Sequence, residues 1–155
     1  MPIRVSVVND FSVVVAGVRA LLAPFSDRVV VVELETGSTA DEPVDVALFD
    51  TFAAPVDWQP RLSSMARDPH IGAVAVYSFI TDPRAVDDVL ATGATGYLAK
   101  SLTAEELVEG IEQIAHGRRV TVLGQNDSTV TAGPWPGQGA GLTPREAEML
   151  ALIVQ

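Results

Sequence analysis

The sequence predicts an α/β protein built on a five-stranded, doubly wound parallel sheet, and three observations carry that expectation. Short β-branched runs recur along the first three-quarters of the chain, segments of helical spacing separate them, and polar residues gather where the runs end. The runs are Ile3–Val8, Val29–Leu34, Val44–Phe49, Ala73–Tyr77 and Gly96–Ala99. They are brief and apolar on both alternating positions, the pattern of strands buried on both faces of a parallel sheet. Helices are expected near 13–24, 58–67, 83–92 and 104–117. The last starts at a capping box, Thr103 with Glu106, and stops near Gly117. Alternation of this kind implies an open sheet with helices on both sides. Ligands of such sheets bind outside the carboxyl ends of the strands, where the strand order reverses.

Composition narrows the function classes. The 155 residues are 48% hydrophobic, enough for one substantial core. A net charge of −10 argues against nucleic-acid contact by this stretch, because phosphate binding needs a basic surface. The chain has no cysteine, so neither disulfides nor thiolate chemistry enter. Met1-Pro2-Ile3-Arg4 lacks the pattern of a signal peptide, and no apolar run reaches membrane-spanning length. A cytoplasmic protein with no membrane partner is expected.

The chemistry lies at the strand ends. The first strand ends at Asn9-Asp10, the third at Asp50, the fourth at Ser78 and the fifth at Lys100. Lys100 is the single lysine in a chain with nine arginines. Lysine is a compact point charge on a flexible stem, suited to one oxyanion where a planar guanidinium is not. Clustered carboxylates call for a cation, and one or two carboxylates with retained waters describe Mg²⁺. With the metal in place Asp50 could attack phosphorus, while Ser78 and Lys100 hydrogen-bond and neutralise the phosphoryl oxygens. Plainer readings stand beside each residue. Asp50 or Asp10 could cap a helix, Ser78 could be a loop hydroxyl, and Tyr97 a core aromatic. His70 and His116 read as solvated, without a catalytic role. The conjunction of four polar strand ends is what raises the functional reading above these.

On these residues the stretch from 3 to about 120 resembles the receiver domain of a two-component response regulator, a flavodoxin-like fold. The resemblance rests on the Asn9-Asp10 pocket, Asp50 closing Val44–Phe49, the hydroxyl of Ser78, and Gly93-Ala94-Thr95-Gly96-Tyr97-Leu98-Ala99-Lys100. The spacing and glycine pattern before Lys100 suit the LuxR/NarL-type branch. Leu142-Thr143-Pro144-Arg145-Glu146-Ala147-Glu148-Met149-Leu150 is similar to the opening of that branch's helix-turn-helix DNA-binding domain. It is also a good helix start in itself, with Thr143 as N-cap, Pro144 at the first helical position and Glu146 completing a capping box. The implied organisation is a receiver domain over 1–120, a linker over 121–141 rich in Gly and Pro, and the beginning of the DNA-binding domain over 142–155. The chain stops at Gln155 before any recognition helix, so DNA contact is expected only through the remainder of that domain.

The resemblance implies roles residue by residue. Asp50 is the phosphoacceptor; Asp10 and Asp50 are direct metal ligands, with the backbone carbonyl of Phe52 a third and Asn9 acting through water. Ser78 and Tyr97 are the switch pair, Tyr97 swinging inward as Ser78 moves toward the phosphoryl group. A sensor histidine kinase and a second copy of the chain are the implied partners. Four departures accompany the match. Asn9 stands where the family carries an acid, which should weaken Mg²⁺ binding. Phe79 follows the switch hydroxyl where a small residue normally leaves the site open, making it a candidate gate. Pro55 comes one residue late after Asp50, and Ser101 replaces a proline after Lys100.

Three functions are therefore weighed: a phosphorylation-controlled receiver governing transcription, a degenerate receiver signalling by dimerisation or ligand binding, and a small Asp-nucleophile phosphatase. The phosphatase reading wants a carboxylate two residues after the nucleophile, where this chain has Phe52. An enzyme is therefore not expected, beyond the receiver's own phosphorylation and dephosphorylation.

Overall fold

The apolar runs become strands of one parallel sheet in the computed structural model, which describes residues 1–32, 43–51 and 58–124. In chain order the elements are β1 (Ile3–Val8), α1 (Ser12–Leu22) with a 3-10 turn at Ala23–Phe25, β2 (Val29–Val32) and β3 (Val44–Asp50). Then come α2 (Trp58–Ala66), β4 (Ile71–Ser78), α3 (Pro83–Ala91), β5 (Gly96–Ala99), α4 (Ala104–Ala115) and β6 (Val120–Val122). The strand order is β2-β1-β3-β4-β5-β6, every neighbouring pair parallel. The order reverses at β1, so the crevice lies where β1 and β3 end side by side, with Val8 opposite Phe49.

Alternation along each strand sorts the core into two layers. Val5, Val7, Val46, Leu48, Ala75, Tyr77 and Leu98 meet Val18 and Leu22 of α1 and Leu107, Val108, Ile111 and Ile114 of α4. Ala47, Phe49, Val74, Val76 and Tyr97 meet Leu62 of α2 and Val86 and Val89 of α3. Asp82 caps α3, accepting the amides of Arg84 and Ala85, with Pro83 at the first helical position. The predicted capping box of α4 is formed in both directions between Thr103 and Glu106.

The sheet has six strands, one more than expected. β6 is three residues long and follows Arg118-Arg119, too short and too polar in its approach to register as a strand by pattern. It pairs with β5 through Gly96↔Val120, Tyr97↔Thr121 and Leu98↔Val122, and the compact unit runs from Met1 to Gly124. Residues 121 and 122, expected to open the linker, thus belong to the sheet. β4 begins at Ile71, two residues before the expected start, because Gly72 interrupts the apolar run. Its lack of a side chain has a packing reason: a Cβ there would stand 2.7 Å from the carbonyl oxygen of Asp45 on β3. The remaining linker, the helix start at 142–155, and residues 33–34 of the second expected strand lie outside the described residues.

Away from the crevice, Arg28 pins the approach to β2 onto α4 with two hydrogen bonds to Glu112, at 2.9 and 2.7 Å. The guanidinium holds the Glu112 carboxyl below its usual range, chiefly by hydrogen bonding, against a smaller opposing effect of burial. A lowered folded-state value means the pair contributes stability above the ordinary carboxylate range and loses it as pH falls through the lowered value. Solvent screening keeps such a surface pair weak, so Glu112→Gln should lower stability only slightly at neutral pH. That difference should shrink toward zero in urea melts taken progressively below pH ~4.

The glycines supply a second check on the packing. Gly96→Ala should destabilise by about 1–3 kcal/mol, since its Cβ would collide with the Ile114 side chain and stand 3.2 Å from the Val120 carbonyl oxygen. Gly17→Ala meets nothing within 4 Å on the exposed face of α1. It should stabilise by up to about 1 kcal/mol through helix propensity. Equal melting shifts for the two would contradict this packing.

Candidate functional site

Four strand ends deliver charge and polarity to the crevice. Asp50 is the last residue of β3 and 3% exposed, a carboxylate the chain has taken out of water. Lys100 follows β5, and its Nζ donates to Asp50 Oδ2 at 2.6 Å with side-chain exposures of 9% and 1%. The strand between them is β4, so the lysine stem reaches past Tyr77, whose backbone is paired with Asp50. Asn9, just after β1, donates from Nδ2 to the same Asp50 Oδ2 at 2.7 Å. Its Oδ1 accepts the Phe11 amide at 2.7 Å, which sets the orientation of the side-chain amide and ties it to the start of α1. One carboxylate oxygen thus receives both an ammonium and an amide.

Ser78 ends β4 and is 3% exposed. Its Oγ takes part in a 2.9 Å hydrogen bond with Thr51 Oγ1 and accepts the Ile80 amide at 3.2 Å. The Lys100 amide donates to the Ser78 carbonyl at 2.9 Å, so the β4 and β5 ends are stitched together just below the side chains. Tyr97 sits on the opposite face from Lys100, as alternation requires, and is 1% exposed in the α2–α3 layer. Its hydroxyl donates to the Ile80 carbonyl, and burial raises its pKa. Ile80 therefore links the two expected switch residues, its amide to Ser78 and its carbonyl to Tyr97.

Asp10 stands at the rim rather than in the floor, its side chain 57% exposed and 3.7 Å from Arg61 of α2. Phe52, the expected carbonyl ligand, lies outside the described residues. Among the described residues no group of three or more His, Cys, Asp or Glu side chains gathers to hold a metal. Two carboxylates from adjacent strand ends, Asp10 and Asp50, nevertheless match the donor chemistry of a hard dication that keeps most of its waters. Asn9 presents its N–H, not its oxygen, toward Asp50 in this arrangement.

Three participants carry little sequence signal. Thr51 holds the Ser78 hydroxyl, and Arg61 faces Asp10 from a helix whose placement depends on tertiary packing. Tyr77 is the third: the Lys100 ammonium lies 5.6 Å from its ring centroid and 5.0 Å from that of Phe79. The sequence does place both aromatics beside Ser78, but the ring contacts depend on how β4 and β5 end.

No family model matches the chain. Among curated proteins it is 27% identical to the nitrate/nitrite response regulator NarL of Escherichia coli, over 99% of this chain and 76% of that protein. It is 32% identical to the transcriptional regulatory protein DegU of Brevibacillus brevis, over 74% of this chain and 51% of that protein. Among solved structures, a LuxR family DNA-binding response regulator from Silicibacter pomeroyi superimposes with a TM-score of 0.60 at 27% identity. That match covers 77% of this chain and 96% of that one. The response regulator ChrA of a heme-sensing two-component system, at 22% identity and a TM-score of 0.63, shares the fold over 97% of this chain and 82% of its own.

The Asn9 contact makes a direct prediction. Asn9→Asp replaces a hydrogen bond to Asp50 Oδ2 with a second carboxylate, so without divalent cations it should cost about 1–3 kcal/mol in stability. Added Mg²⁺ should raise the variant's melting temperature more than that of the native chain. Identical melts of the two proteins, with and without Mg²⁺, would show that position 9 does not bear on Asp50.

Proposed function

We propose, from the premise that this chain is related to the LuxR/NarL-type response regulators and carries their receiver fold, that Asp50 accepts a phosphoryl group and thereby governs an attached DNA-binding domain. One observation carries the reading: the buried Lys100–Asp50 pair at the point where the strand order reverses. Taking two charges out of water costs several kcal/mol per ion, and such pairs seldom repay that as stability. A pair retained there is better explained by chemistry that needs a neutralised carboxylate beside a fixed ammonium.

The residues divide the work. An Asp50 carboxylate oxygen attacks phosphorus as the bond from phosphorus to the donor's leaving atom breaks, leaving an acyl phosphate. Lys100 is placed to follow the charge onto the phosphoryl oxygens, since its ammonium already sits on Asp50 Oδ2. Ser78 donates a hydrogen bond from its hydroxyl to a phosphoryl oxygen, the same oxygen atom accepting from the Thr51 hydroxyl and the Ile80 amide. Asp10 and Asp50 would hold Mg²⁺, with Phe52 contributing its backbone carbonyl and Asn9 touching the ion through water. Bound there, the cation offsets the negative charge that two carboxylates and a phosphoryl group bring together.

Movement of Ser78 carries Ile80, and Ile80 carries Tyr97 through its carbonyl. Tyr97 lies on β5, and the surfaces of the flanking helices α3 and α4 would change shape for a second copy of the chain. A sensor histidine kinase is the phosphoryl donor in this reading. DNA is contacted through the rest of the helix-turn-helix domain, not through a unit with a net acidic surface. The alternative of a receiver acting without phosphate draws on Asn9, whose amide already satisfies the oxygen that a cation would otherwise balance.

Incubation with Mg²⁺ and acetyl phosphate, followed by intact mass spectrometry, tests the proposal. The native chain should gain one phosphate and Asp50→Asn none. No gain by the native chain, or a gain that survives Asp50→Asn, would overturn it.

A further inference from the structure

Phe79 is placed oddly for a large apolar residue. It leaves 42% of its surface exposed at the mouth of the crevice, yet its ring centroid lies 5.0 Å from the one lysine ammonium in the chain. Tyr77, on the other side of Ser78 and buried at 6% exposure, brings a second ring to 5.6 Å from the same Nζ. The Ile80 amide on Ser78 Oγ and the Ile80 carbonyl under Tyr97 hold the loop that carries Phe79. The face of an aromatic ring attracts a cation within about 6 Å of its centroid. We infer that Phe79, with Tyr77 behind it, is a positioning residue that seats the Lys100 ammonium on Asp50 Oδ2 by the negative faces of two rings.

The physical case rests on what else the lysine could do. A four-carbon stem is flexible, and an ammonium is strongly hydrated, so Lys100 would gain by swinging out of the crevice toward water. Its amide is fixed by Ser78, a bond that acts on the backbone and not on the side chain. The ion pair with Asp50 supplies one direction of restraint, and the rings supply the sides that solvent would otherwise occupy. This role differs from that of a gate. A gate acts through the bulk of Phe79, whereas a seat acts through its ring electrons. The inference rests on the proposed phosphoacceptor reading for its consequence, since a seated ammonium is what meets the phosphoryl oxygens, but its test requires no phosphate.

The chain's single lysine makes the test clean. Phenylalanine analogues with increasing ring fluorination, up to pentafluorophenylalanine, are placed at position 79 of the full chain. They keep the shape while draining and finally inverting the charge on the ring face. An amine-acylating ester then modifies Lys100, with the Met1 amino group as internal reference and mass spectrometry as readout. Acylation consumes the free amine, so a weaker hold on the ammonium speeds it. The rate at Lys100 should rise stepwise with fluorination, reaching about two- to five-fold in the most fluorinated variant. Phe79→Trp should be no faster than native, and Asp50→Asn should be faster. Should the pentafluoro variant fold poorly by thermal melt, the lightly fluorinated variants still report the gradient. A flat rate across the series, or a rise only in Phe79→Leu where bulk and not ring charge has changed, would overturn the inference. The arms separate cleanly. A graded response without phosphate uptake at Asp50 removes the proposed function and keeps the seat. A flat response with uptake intact removes the seat alone.

Discussion

From the end of β5, the Lys100 side chain crosses the end of β4 to reach a carboxylate on β3, and the two charges meet at 2.6 Å with almost no exposure to solvent. Most of the surrounding arrangement follows from accommodating that pair. The parallel sheet sets the strand ends side by side, so Asp50, Ser78 and Lys100 arrive at one edge without any loop having to carry them there. Asn9 adds a neutral donor to the shared oxygen, and its other end fixes the amide at the start of α1. A buried carboxylate left unpartnered would be strongly destabilising, which makes each of these contacts a condition of the fold as well as of the chemistry.

The position of Asn9 gives this crevice its particular character. An acid there would repel Asp50 and create a demand for a cation, whereas the amide relieves that demand with a hydrogen bond. The carboxylates that remain, Asp10 at the rim and Asp50 in the floor, form a thinner donor set. On the other face, Tyr97 is already packed inward and its hydroxyl is engaged by the Ile80 carbonyl. Two-state elements move only by the free energy that separates their states, so the depth of this packing sets how much the proposed phosphoryl group would have to supply.

Much of this is legible in the sequence alone. Strand-length apolar runs, helix starts with caps, and polar residues at run ends located the sheet, α4's capping box and the crevice residues Asp50, Ser78 and Lys100. What escaped did so for physical reasons. β6 is held by pairing with β5 and not by its own pattern, and the start of β4 was hidden by a glycine that the close approach of Asp45 requires. The donors and rings that act on Asp50 and Lys100, namely the Asn9 amide, Tyr77 and Phe79, depend on the direction in which side chains leave neighbouring strands. A linear sequence shows that aromatics flank Ser78; only the crossing of Lys100 over β4 shows that both rings lie beside its ammonium.

The central claim is that the bond formed at this crevice is an acyl phosphate on Asp50. Hydride from borohydride reduces an acyl phosphate to the alcohol, converting the aspartate that carried it to homoserine. Treating the phosphorylated chain with borohydride and sequencing its peptides by mass spectrometry locates that residue directly. The account predicts homoserine at position 50 and nowhere else, and only when Mg²⁺ and a phosphodonor have both been supplied. An unreduced Asp50 in a chain that has taken up phosphate, or homoserine at another carboxylate, would contradict it.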